Sequence, residues 1–367
     1  MNAKEKLEAI MLEHANKSVT VSAIRSFMKK SKNGFKVVLF GCGNQGQVML
    51  RTLKALNIKV SFYCDNNCEF WGKSIRGLKC ISPAELSRIK NVVVCISSNY
   101  INEIYCQLKS MGINDVFAFG EFTAQLTLND INNVIRNMEK LVQVLDFLND
   151  EFSKQVLVAG ISQWFNGILQ FPRELISENQ FFDKDIYKIG HNEIFVDAGA
   201  YNGDTVDLFC KATDNLFEKI YAFELNPFNF KNLIAHISEK PINKKVVCIN
   251  KGIGNENGKV YYSNDDTASQ ICLKAESSLP GEICRLDDVI EYATLIKMDI
   301  EGAELEALKG AEQLIKKCKP KLAICIYHKP QDFFEIPLYI KSIVPEYQLA
   351  VRHYTTVETE TVLYAFL

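Results

Sequence analysis

The segment IFVDAGAYNGDT, residues 194–205, constrains the fold more than any other part of the sequence. Its apolar start indicates a short buried strand that ends at Asp197. Small residues then indicate a tight turn before a helix: Gly199, Ala200 and Gly203. Glycine lets the backbone approach a ligand closely, and a helix N-terminus presents unpaired N–H groups. The segment therefore predicts a strand–turn–helix junction whose small residues bind a nucleotide-like cofactor.

A second acid follows at the spacing expected for a cofactor that contains a ribose. The segment KIYAFELN indicates a strand that ends at Glu224, about twenty residues after Gly203. A carboxylate at this position can accept two hydrogen bonds from a ribose diol. An acid, a glycine turn and a second acid fit S-adenosylmethionine as well as NAD.

Composition sets broad limits on the function. The chain has 367 residues, which suggests two or three domains, and its 42 basic and 44 acidic residues give a net charge of −2. This balance provides no global field that would attract nucleic acid, so we predict no nucleic-acid partner. No run of about twenty apolar residues occurs, and the first residues lack a signal-peptide core, so we expect no membrane span.

The twelve cysteines fall mostly in apolar, strand-like segments, as Cys95, Cys248 and Cys325 do. Free cysteine is one of the most frequently buried residue types, so buried thiols are the expected state. Cys64 and Cys68 have a loose metal-like spacing, but no second pair or adjacent histidine completes a zinc site. We therefore predict a reducing, cytoplasmic location and no structural zinc.

The N-terminal part contains a second glycine turn. Residues 1–33 are predicted to be a helical segment, and residues 34–122 alternate strand and helix patterns from the strand FKVVLF onward. A GxGxxG motif follows this strand at Gly41, Gly43 and Gly46. Asp65 ends the next strand about twenty residues later. We predict a Rossmann-like domain that binds a nucleotide or nucleotide-sugar at these four residues; the alternative is a degenerate domain retained for assembly.

The rest of the chain divides into a connector and a second α/β domain. Residues 123–190 have few glycines and long helical periodicity, which predicts a helical connector. Residues 191–367 alternate strands with helices, the pattern of a doubly wound parallel sheet. YQLAVRHY and ETVLYAFL have no helix between them and predict an antiparallel hairpin. This hairpin is unusual for an NAD-binding domain and usual for class I methyltransferases, so the predicted fold class is α/β with a C-terminal class I methyltransferase sheet.

The region from about Phe152 to Leu367 resembles the FkbM family of S-adenosylmethionine-dependent methyltransferases. The resemblance rests on FVDAGAYNGDT, YAFELNP, RLDD followed by LIKMDIEGAELEALKGA, and PKLAICIYHKPQDF. It implies an O-methyltransferase that uses S-adenosylmethionine. It also implies a small-molecule or glycan acceptor, namely a sugar hydroxyl in a polysaccharide, glycolipid or nucleotide-sugar.

The N-terminal domain resembles the small nucleotide-sugar-binding unit found ahead of bacterial sugar acetyltransferases. This resemblance rests on the segments CDNN and GKSIRG, the second running from Gly72 to Gly77. It implies that the N-terminal domain takes a nucleotide-sugar as its ligand.

The class I fold implies a role for each polar strand end. Asp197 is predicted to accept the ammonium of the cofactor, directly or through water, and Glu224 to hold the ribose diol. Asn226 is predicted to assist at the adenosine edge. The end of the third strand, at Lys251 and Gly252, lies where the adenine is expected.

Three residues are candidates for catalysis. Asp299 ends the fourth strand, beside the transferring methyl group in a class I fold, and could also bind the cofactor. One carboxylate pair with Glu301 does not make a divalent-metal site, which needs several oxygen ligands, so we predict no metal. His328 ends the fifth strand, where an imidazole could accept a hydroxyl proton near neutral pH. His353 is the alternative base.

Two further functions stay open at the level of the sequence. A nicotinamide-dependent sugar-nucleotide oxidoreductase would use the N-terminal domain, although no clear Tyr-x-x-x-Lys signature occurs. A non-catalytic scaffold would bind a nucleotide-sugar without consuming S-adenosylmethionine. The identity of the acceptor and the oligomeric state are not predicted.

Overall fold

The computed structural model describes residues 2–14, 19–118, 120, 124, 126–166, 170–263, 271–272 and 278–367. The chain forms two compact units. The N-terminal unit comprises Met1–Met138, Val158–Glu174 and Thr355–Glu358. The C-terminal unit comprises Glu139–Leu157, Leu175–Tyr354 and Thr359–Leu367. The predicted boundaries at residues 34–122, 123–190 and 191–367 stay predictions.

The N-terminal unit is built on a six-stranded sheet with the order β3-β4-β2-β1-β5-β6. The strands are β1 Lys36–Phe40, β2 Val60–Cys64, β3 Ser74–Ile75, β4 Leu78–Ile81, β5 Val92–Ile96 and β6 Val116–Ala118. All neighbouring pairs are parallel except β3 with β4. The helices are α1 Ala3–His14, α2 Val19–Lys32, α3 Asn44–Ala55, α4 Pro83–Leu86, α5 Ile101–Ser110 and α6 Leu128–Arg136.

The apolar runs of these strands explain why the sheet forms. Val38 and Phe40 of β1 and Val94 and Ile96 of β5 are buried in one hydrophobic cluster. Leu108 of α5 packs into the same cluster, so the helix covers one face of the sheet. A parallel sheet buried on its faces needs such continuous apolar runs rather than alternation, which is the pattern that the sequence shows.

The C-terminal unit is built on a seven-stranded sheet with the order β16-β17-β15-β14-β7-β8-β9. The strands are β7 Ile194–Ala198, β8 Lys219–Phe223, β9 Val246–Ile249, β14 Leu295–Met298, β15 Lys321–Cys325, β16 Gln348–His353 and β17 Thr361–Phe366. The five strands from β15 to β9 are parallel, and β17 runs antiparallel to both β15 and β16. The predicted class I methyltransferase sheet with its C-terminal hairpin is therefore confirmed.

Helices connect and cover this sheet. They are α7 Met138–Phe147, α8 Glu151–Asn166, α9 Asp204–Ala212, α10 Pro227–Ser238, α11 Leu286–Val289, α12 Glu304–Lys309, α13 Glu312–Cys318 and α14 Asp332–Ile343. The helical pattern predicted for residues 123–190 ends earlier than expected, because α8 stops at Asn166 and only the short 3-10 helix Arg173–Leu175 follows it among the described residues of that region.

A second sheet, with the order β10-β13-β11-β12, lies between β9 and β14 in the chain and was not predicted. Its strands are β10 Gly252–Ile253, β11 Gly258–Ser263, β12 Ile271–Cys272 and β13 Ser278–Cys284. The structure describes the side chains of eleven of the twelve cysteines, and each of these eleven is free. Within the described part of the chain, no helix combines the length and the apolar character needed to cross a membrane.

Candidate active site

The turn after β7 depends on two glycines. Gly199 has φ +84, and a Cβ placed on it would lie 1.9 Å from the carbonyl oxygen of Asp299. Gly203 has φ +94 and is the N-cap of α9. The N–H groups of Gly199 and Ala200 both donate to the carbonyl oxygen of Phe223, at 3.0 and 2.9 Å. These bonds fix the turn beside the end of β8, where Glu224 follows.

Glu224 is held in place by backbone donors from two segments. Its Oε2 accepts the N–H of Tyr201 at 2.9 Å and its Oε1 accepts the N–H of Asn226 at 2.8 Å. Burial raises the pKa of Glu224 to about 7, although these two hydrogen bonds act to lower it. The side chain is thus a fixed acceptor that holds a proton more readily than an exposed glutamate does.

Asp197 lies beneath the turn and forms a buried ion pair. β7 and β14 are parallel, and their register places Asp197 opposite Lys297. The Lys297 Nζ lies 3.1 Å from Asp197 Oδ1 and donates to the carbonyl oxygen of Gly199 at 2.8 Å. Burial raises the pKa of Asp197 to about 6, while Lys297 acts to lower it. Despite its own burial, Lys297 has a raised pKa because the carboxylates of Asp197 and Asp299 surround it.

A group of charged side chains meets at the ends of β14 and β15. The Tyr327 hydroxyl donates to Asp299 Oδ1 at 3.1 Å. His328 Nδ1 lies 3.0 Å from Glu304 Oε1, and His328 Nε2 lies 3.5 Å from Asp299 Oδ1 and 3.7 Å from Glu301 Oε2. The imidazole is therefore enclosed by three carboxylates.

This environment does not favour the predicted role of His328 as a general base, which stays a prediction. Burial acts to lower the pKa of His328, but the carboxylates of Glu304, Glu301 and Asp299 raise it to about 10. At neutral pH the ring is therefore protonated and has no free lone pair for a substrate proton. Its side chain is also only 1% exposed. His328 is a buried cation that balances the carboxylates.

Asp299, Glu304 and His328 offer atoms within 4.8 Å of one another, a spacing that a metal ion could also use. Glu304 Oε1 is already engaged by the imidazole and accepts the N–H of Ile300 at 2.9 Å. The contacts that the structure shows among these side chains are those of an ion-pair cluster. The expectation of no metal stays a prediction.

A cavity of about 330 Å³ opens at the carboxyl ends of these strands. This volume is within the range of small-molecule sites. Its lining consists of Gln180, Phe181, Gly199, Tyr201, Asp204, Thr205, Leu208, Phe223, Glu224, Leu225, Asn229, Lys251, Gly252, Ile253, Ile271, Lys297, Asp299, Ile300, Glu301, Ala303, Tyr327 and Glu360. The cavity thus brings together five of the predicted site residues: Gly199, Glu224, Lys251, Gly252 and Asp299.

Other predicted residues lie outside this lining, as far as the described residues define it. Asp197 is fully buried below Lys297. Asn226 is the N-cap of α10, and its side chain accepts the N–H of Phe228. His353 is fully buried in the hairpin, with Nδ1 2.7 Å from Thr361 Oγ1, and its role as the alternative base stays a prediction.

Sequence reasoning missed two charged residues of the cavity, Lys297 and Glu360. For Lys297 a signal existed, because a single lysine interrupts the apolar strand LIKM next to the acid of IFVDA. Glu360 gives no comparable signal. It precedes β17 with φ +72, a left-handed conformation that glutamate rarely adopts. No pattern in the sequence predicts this conformation.

The glycine turn of the N-terminal unit has the geometry that its motif predicts. Gly41 has φ +107, and a Cβ on Gly46 would lie 1.9 Å from the carbonyl oxygen of Gly41. Gly43 is the N-cap of α3. Asp65 Oδ2 accepts the N–H of Cys42 at 3.0 Å, and Oδ1 accepts the N–H of Asn67 at 2.9 Å. A ligand at these residues stays a prediction.

Two families of known proteins match parts of the chain. Residues 197–354 match the family described as methyltransferase FkbM domain, and residues 33–116 match the family described as C2185-like, N-terminal. No curated protein sequence matches the chain.

Among solved structures, the methyltransferase FkbM from Methylobacillus flagellatus KT is similar over 99% of both chains, with a TM-score of 0.76 and 23% identity. At this identity the similarity establishes the fold. An rRNA methylase from Streptococcus thermophilus is 16% identical over 48% of this chain and 87% of its own. Its TM-score of 0.33 is too low to support an inference. Residues 197–354 thus match the FkbM methyltransferase domain, and this match identifies the chain as an S-adenosylmethionine-dependent methyltransferase.

Proposed function

We propose that the C-terminal unit transfers the methyl group of S-adenosylmethionine to a hydroxyl oxygen of a sugar, carried by a polysaccharide, a glycolipid or a nucleotide-sugar. The observation that carries this proposal is the cavity at the ends of β7, β8 and β14. Because β7 lies between the other two strands, Glu224 and Asp299 flank the turn at Gly199. Ligands collect at this edge of open α/β sheets.

The contacts of Glu224 support its role as the ribose-binding residue. Each of its oxygens accepts one backbone N–H, and a carboxylate oxygen has a further lone pair for a ribose hydroxyl. Lys251 and Gly252 line the same cavity from the end of β9 and would contact the adenine. In this arrangement the adenosine part of the cofactor lies on the β8 and β9 side.

Asp197 acts through Lys297 in this proposal rather than by direct contact. The ammonium of Lys297 has three N–H bonds, and two of its acceptors are Asp197 and Gly199. The remaining donor can bind the carboxylate of the methionine part of the cofactor. Asp299, which also lines the cavity, would accept the ammonium of the cofactor.

The chemistry is an in-line displacement at an activated methyl group. The acceptor oxygen attacks the methyl carbon, the carbon–sulfur electrons move to sulfur, and the hydroxyl proton goes to a base. Orientation contributes roughly 7–11 kcal/mol in well-aligned cases, and a general base about 10²–10⁴-fold in rate. The protein therefore acts mainly by positioning the two reactants.

The test has a binding arm and a transfer arm. Calorimetry should detect binding of S-adenosylmethionine and of its product S-adenosylhomocysteine. Methyl-labelled cofactor, incubated with a panel of methyl glycosides, oligosaccharides and nucleotide-sugars, should then give a methyl ether detectable by mass spectrometry. Absence of affinity for S-adenosylhomocysteine, or transfer to nitrogen instead of oxygen, would refute the proposal.

The N-terminal unit has its own proposed ligand, a nucleotide or nucleotide-sugar at the turn formed by Gly41, Gly43 and Gly46. The close approach of Gly46 to Gly41 supports this, because such turns leave no room for a side chain between the helix and the strand. Calorimetry with UDP-sugars and with NADH on the full chain tests it, and separates this proposal from the nicotinamide alternative.

A further inference from the structure

Glu360 lines the cavity from the loop that joins β16 and β17, although the sequence gives no sign of a functional role. Its φ of +72 lies in the left-handed region, which costs a non-glycine residue about 1–3 kcal/mol. Such strain persists only where the surrounding structure enforces it, and it concentrates at active sites. Glu301 and Tyr201, which line the same cavity, also have positive φ, +57 and +46.

Several contacts enforce the position of Glu360. Its backbone oxygen accepts the N–H of Tyr354 at 3.1 Å, and the carbonyl of the next residue, Thr361, accepts the N–H of Ile326 at 3.0 Å. The Thr361 hydroxyl also meets His353 at 2.7 Å. Gln180 Nε2 donates to Glu360 Oε2, which orients the carboxylate. The hairpin and Gln180 thus hold one carboxylate at the cavity wall.

The charges around this carboxylate suit proton transfer. Burial and the neighbouring carboxylate of Asp299 raise the pKa of Glu360 to about 7, while Gln180, His328 and Lys297 act to lower it. A base whose pKa lies near the working pH is partly ionised at that pH and still takes up a substrate proton favourably.

We propose that Glu360 is the catalytic base of the methyl transfer, with Gln180 as its positioning residue; this inference rests on the proposed function. The proton of the acceptor hydroxyl moves to the Glu360 carboxylate while the hydroxyl oxygen forms its bond to the methyl carbon. The carbon–sulfur bond breaks, both of its electrons stay on sulfur, and S-adenosylhomocysteine forms. Glu360 then releases the proton to solvent.

The other titratable groups at the cavity fit different roles. His328 carries a proton already, because three carboxylates surround it. Asp299 accepts the Tyr327 hydroxyl and supplies the negative charge that retains a proton on Glu360. Glu224 is engaged by two backbone donors at the end of β8. Glu360 is the carboxylate that the hairpin brings to the wall from the opposite end of the sheet, next to β15.

The first test locates Glu360 without an acceptor. Sinefungin carries an amine in place of the methylsulfonium group, so a carboxylate beside the transferring methyl should bind it preferentially over S-adenosylhomocysteine. Glu360→Gln should reduce this preference roughly tenfold at pH 8, the loss expected for one hydrogen bond to a charged group. Glu346→Gln, an exposed carboxylate paired with Lys319 in the same unit, is the matched control and should leave it unchanged.

The second test measures turnover on an acceptor found in the hydroxyl panel. Glu360→Gln should lower kcat by about 10²–10⁴-fold with unchanged affinity for S-adenosylhomocysteine, and Glu360→Asp should recover part of the rate. Wild-type kcat at saturating cofactor should rise with pH through about 7, and the rise should disappear in Glu360→Gln. Gln180→Leu should shift this profile without abolishing turnover.

The groups that face Glu360 decide how the pH profile is interpreted. Asp299 and Lys297 come from β14, and His328 comes from the end of β15. Glu301 and Glu224 also line the cavity, and the pKa of Glu224 is about 7 as well. A pH rise that survives in Glu360→Gln would therefore overturn the inference, as would an unchanged sinefungin preference. A wild-type protein that does not bind S-adenosylhomocysteine would overturn the proposed function instead.

Discussion

The two glycine turns of this protein share a sequence pattern and differ in what surrounds them. Each follows a central strand of its sheet, β1 or β7, and in each an acid ends the next strand. The two acids make equivalent backbone contacts: Asp65 accepts the N–H groups of Cys42 and Asn67, and Glu224 accepts those of Tyr201 and Asn226. In the C-terminal unit, Glu224 lines a cavity of about 330 Å³, and burial raises its pKa to about 7.

The difference shows that a glycine motif alone does not create a cavity such as the one beside the second turn. The charged residues that line the cavity beside the second turn come from distant parts of the chain. Lys297 lies in β14 and Asp299 follows that strand, whereas Glu360 belongs to the terminal hairpin. Side chains that converge from several strand ends give the second turn its charges, whereas the motif itself supplies only close backbone approach.

The largest expected effect concerns the ion pair below the second turn. Lys297→Met leaves the fully buried carboxylate of Asp197 without its partner. Breaking a buried pair from one side costs about 3–5 kcal/mol. We expect a loss of this size in the free energy of unfolding, measured by urea denaturation and followed by far-UV circular dichroism.

The matched control lies in the N-terminal unit. Lys30 pairs with Asp115 at 2.5 Å, but both side chains are about a third exposed, at 30% and 31%. Lys30→Met should cost less than about 1 kcal/mol, because solvent screens such pairs. Equal losses in the two variants would show that Asp197 and Lys297 are more hydrated than their burial implies.

The next effect is a pH dependence of stability that comes from Glu224. Its pKa in the folded protein, about 7, exceeds the ordinary value of 4.5, so between these values the folded state binds more protons than the unfolded state. The contribution of Glu224 to the free energy of unfolding is therefore complete below pH 4.5. It is lost as the pH rises towards 7, by up to about 3 kcal/mol. Glu224→Gln should remove this loss, and stability curves that stay parallel for the two proteins would contradict the assignment.

The sequence predicted the fold well where the signal was a run of apolar residues or a missing helix. The strands around Val196, Ala222 and Ile296 are mostly apolar, and the hairpin follows from the lack of a helix between its two strands. The second sheet was missed because β11 and β13 contain neither a continuous apolar run nor a regular alternation, and because β10 and β12 are only two residues long.

The site was only partly predictable, for a different physical reason. Glu224 and Asp299 could be found because polar residues at strand ends collect at one edge of a parallel sheet. The state of His328 could not, because its pKa depends on three carboxylates whose convergence is a tertiary property. Glu360 depends on a left-handed backbone conformation, which single-sequence patterns do not reveal for a glutamate.

A smaller loss of stability is expected when a side chain is added to the glycine of either turn. A Cβ at Gly199 would lie 1.9 Å from the carbonyl oxygen of Asp299, and a Cβ at Gly41 would lie 2.3 Å from that of Ser97. Both contacts are with backbone and both φ values are positive, so Gly199→Ala and Gly41→Ala should each cost about 1–3 kcal/mol of stability. Calorimetry should show that Gly199→Ala alone weakens binding of S-adenosylhomocysteine. A similar loss in Gly41→Ala would mean that the cofactor depends on the first turn.

The smallest expected effect separates the two acids. Glu224→Ala removes the acceptor proposed for the ribose diol and should weaken binding of S-adenosylhomocysteine roughly tenfold, or about 1.4 kcal/mol. Asp65→Ala should leave this affinity unchanged, because Asp65 belongs to the N-terminal unit and is not among the residues that line the cavity. Titration of both variants by calorimetry makes the comparison quantitative. If the two substitutions weaken binding equally, the acid after the first turn contributes to the cofactor site. The proposed difference between the two turns is then wrong.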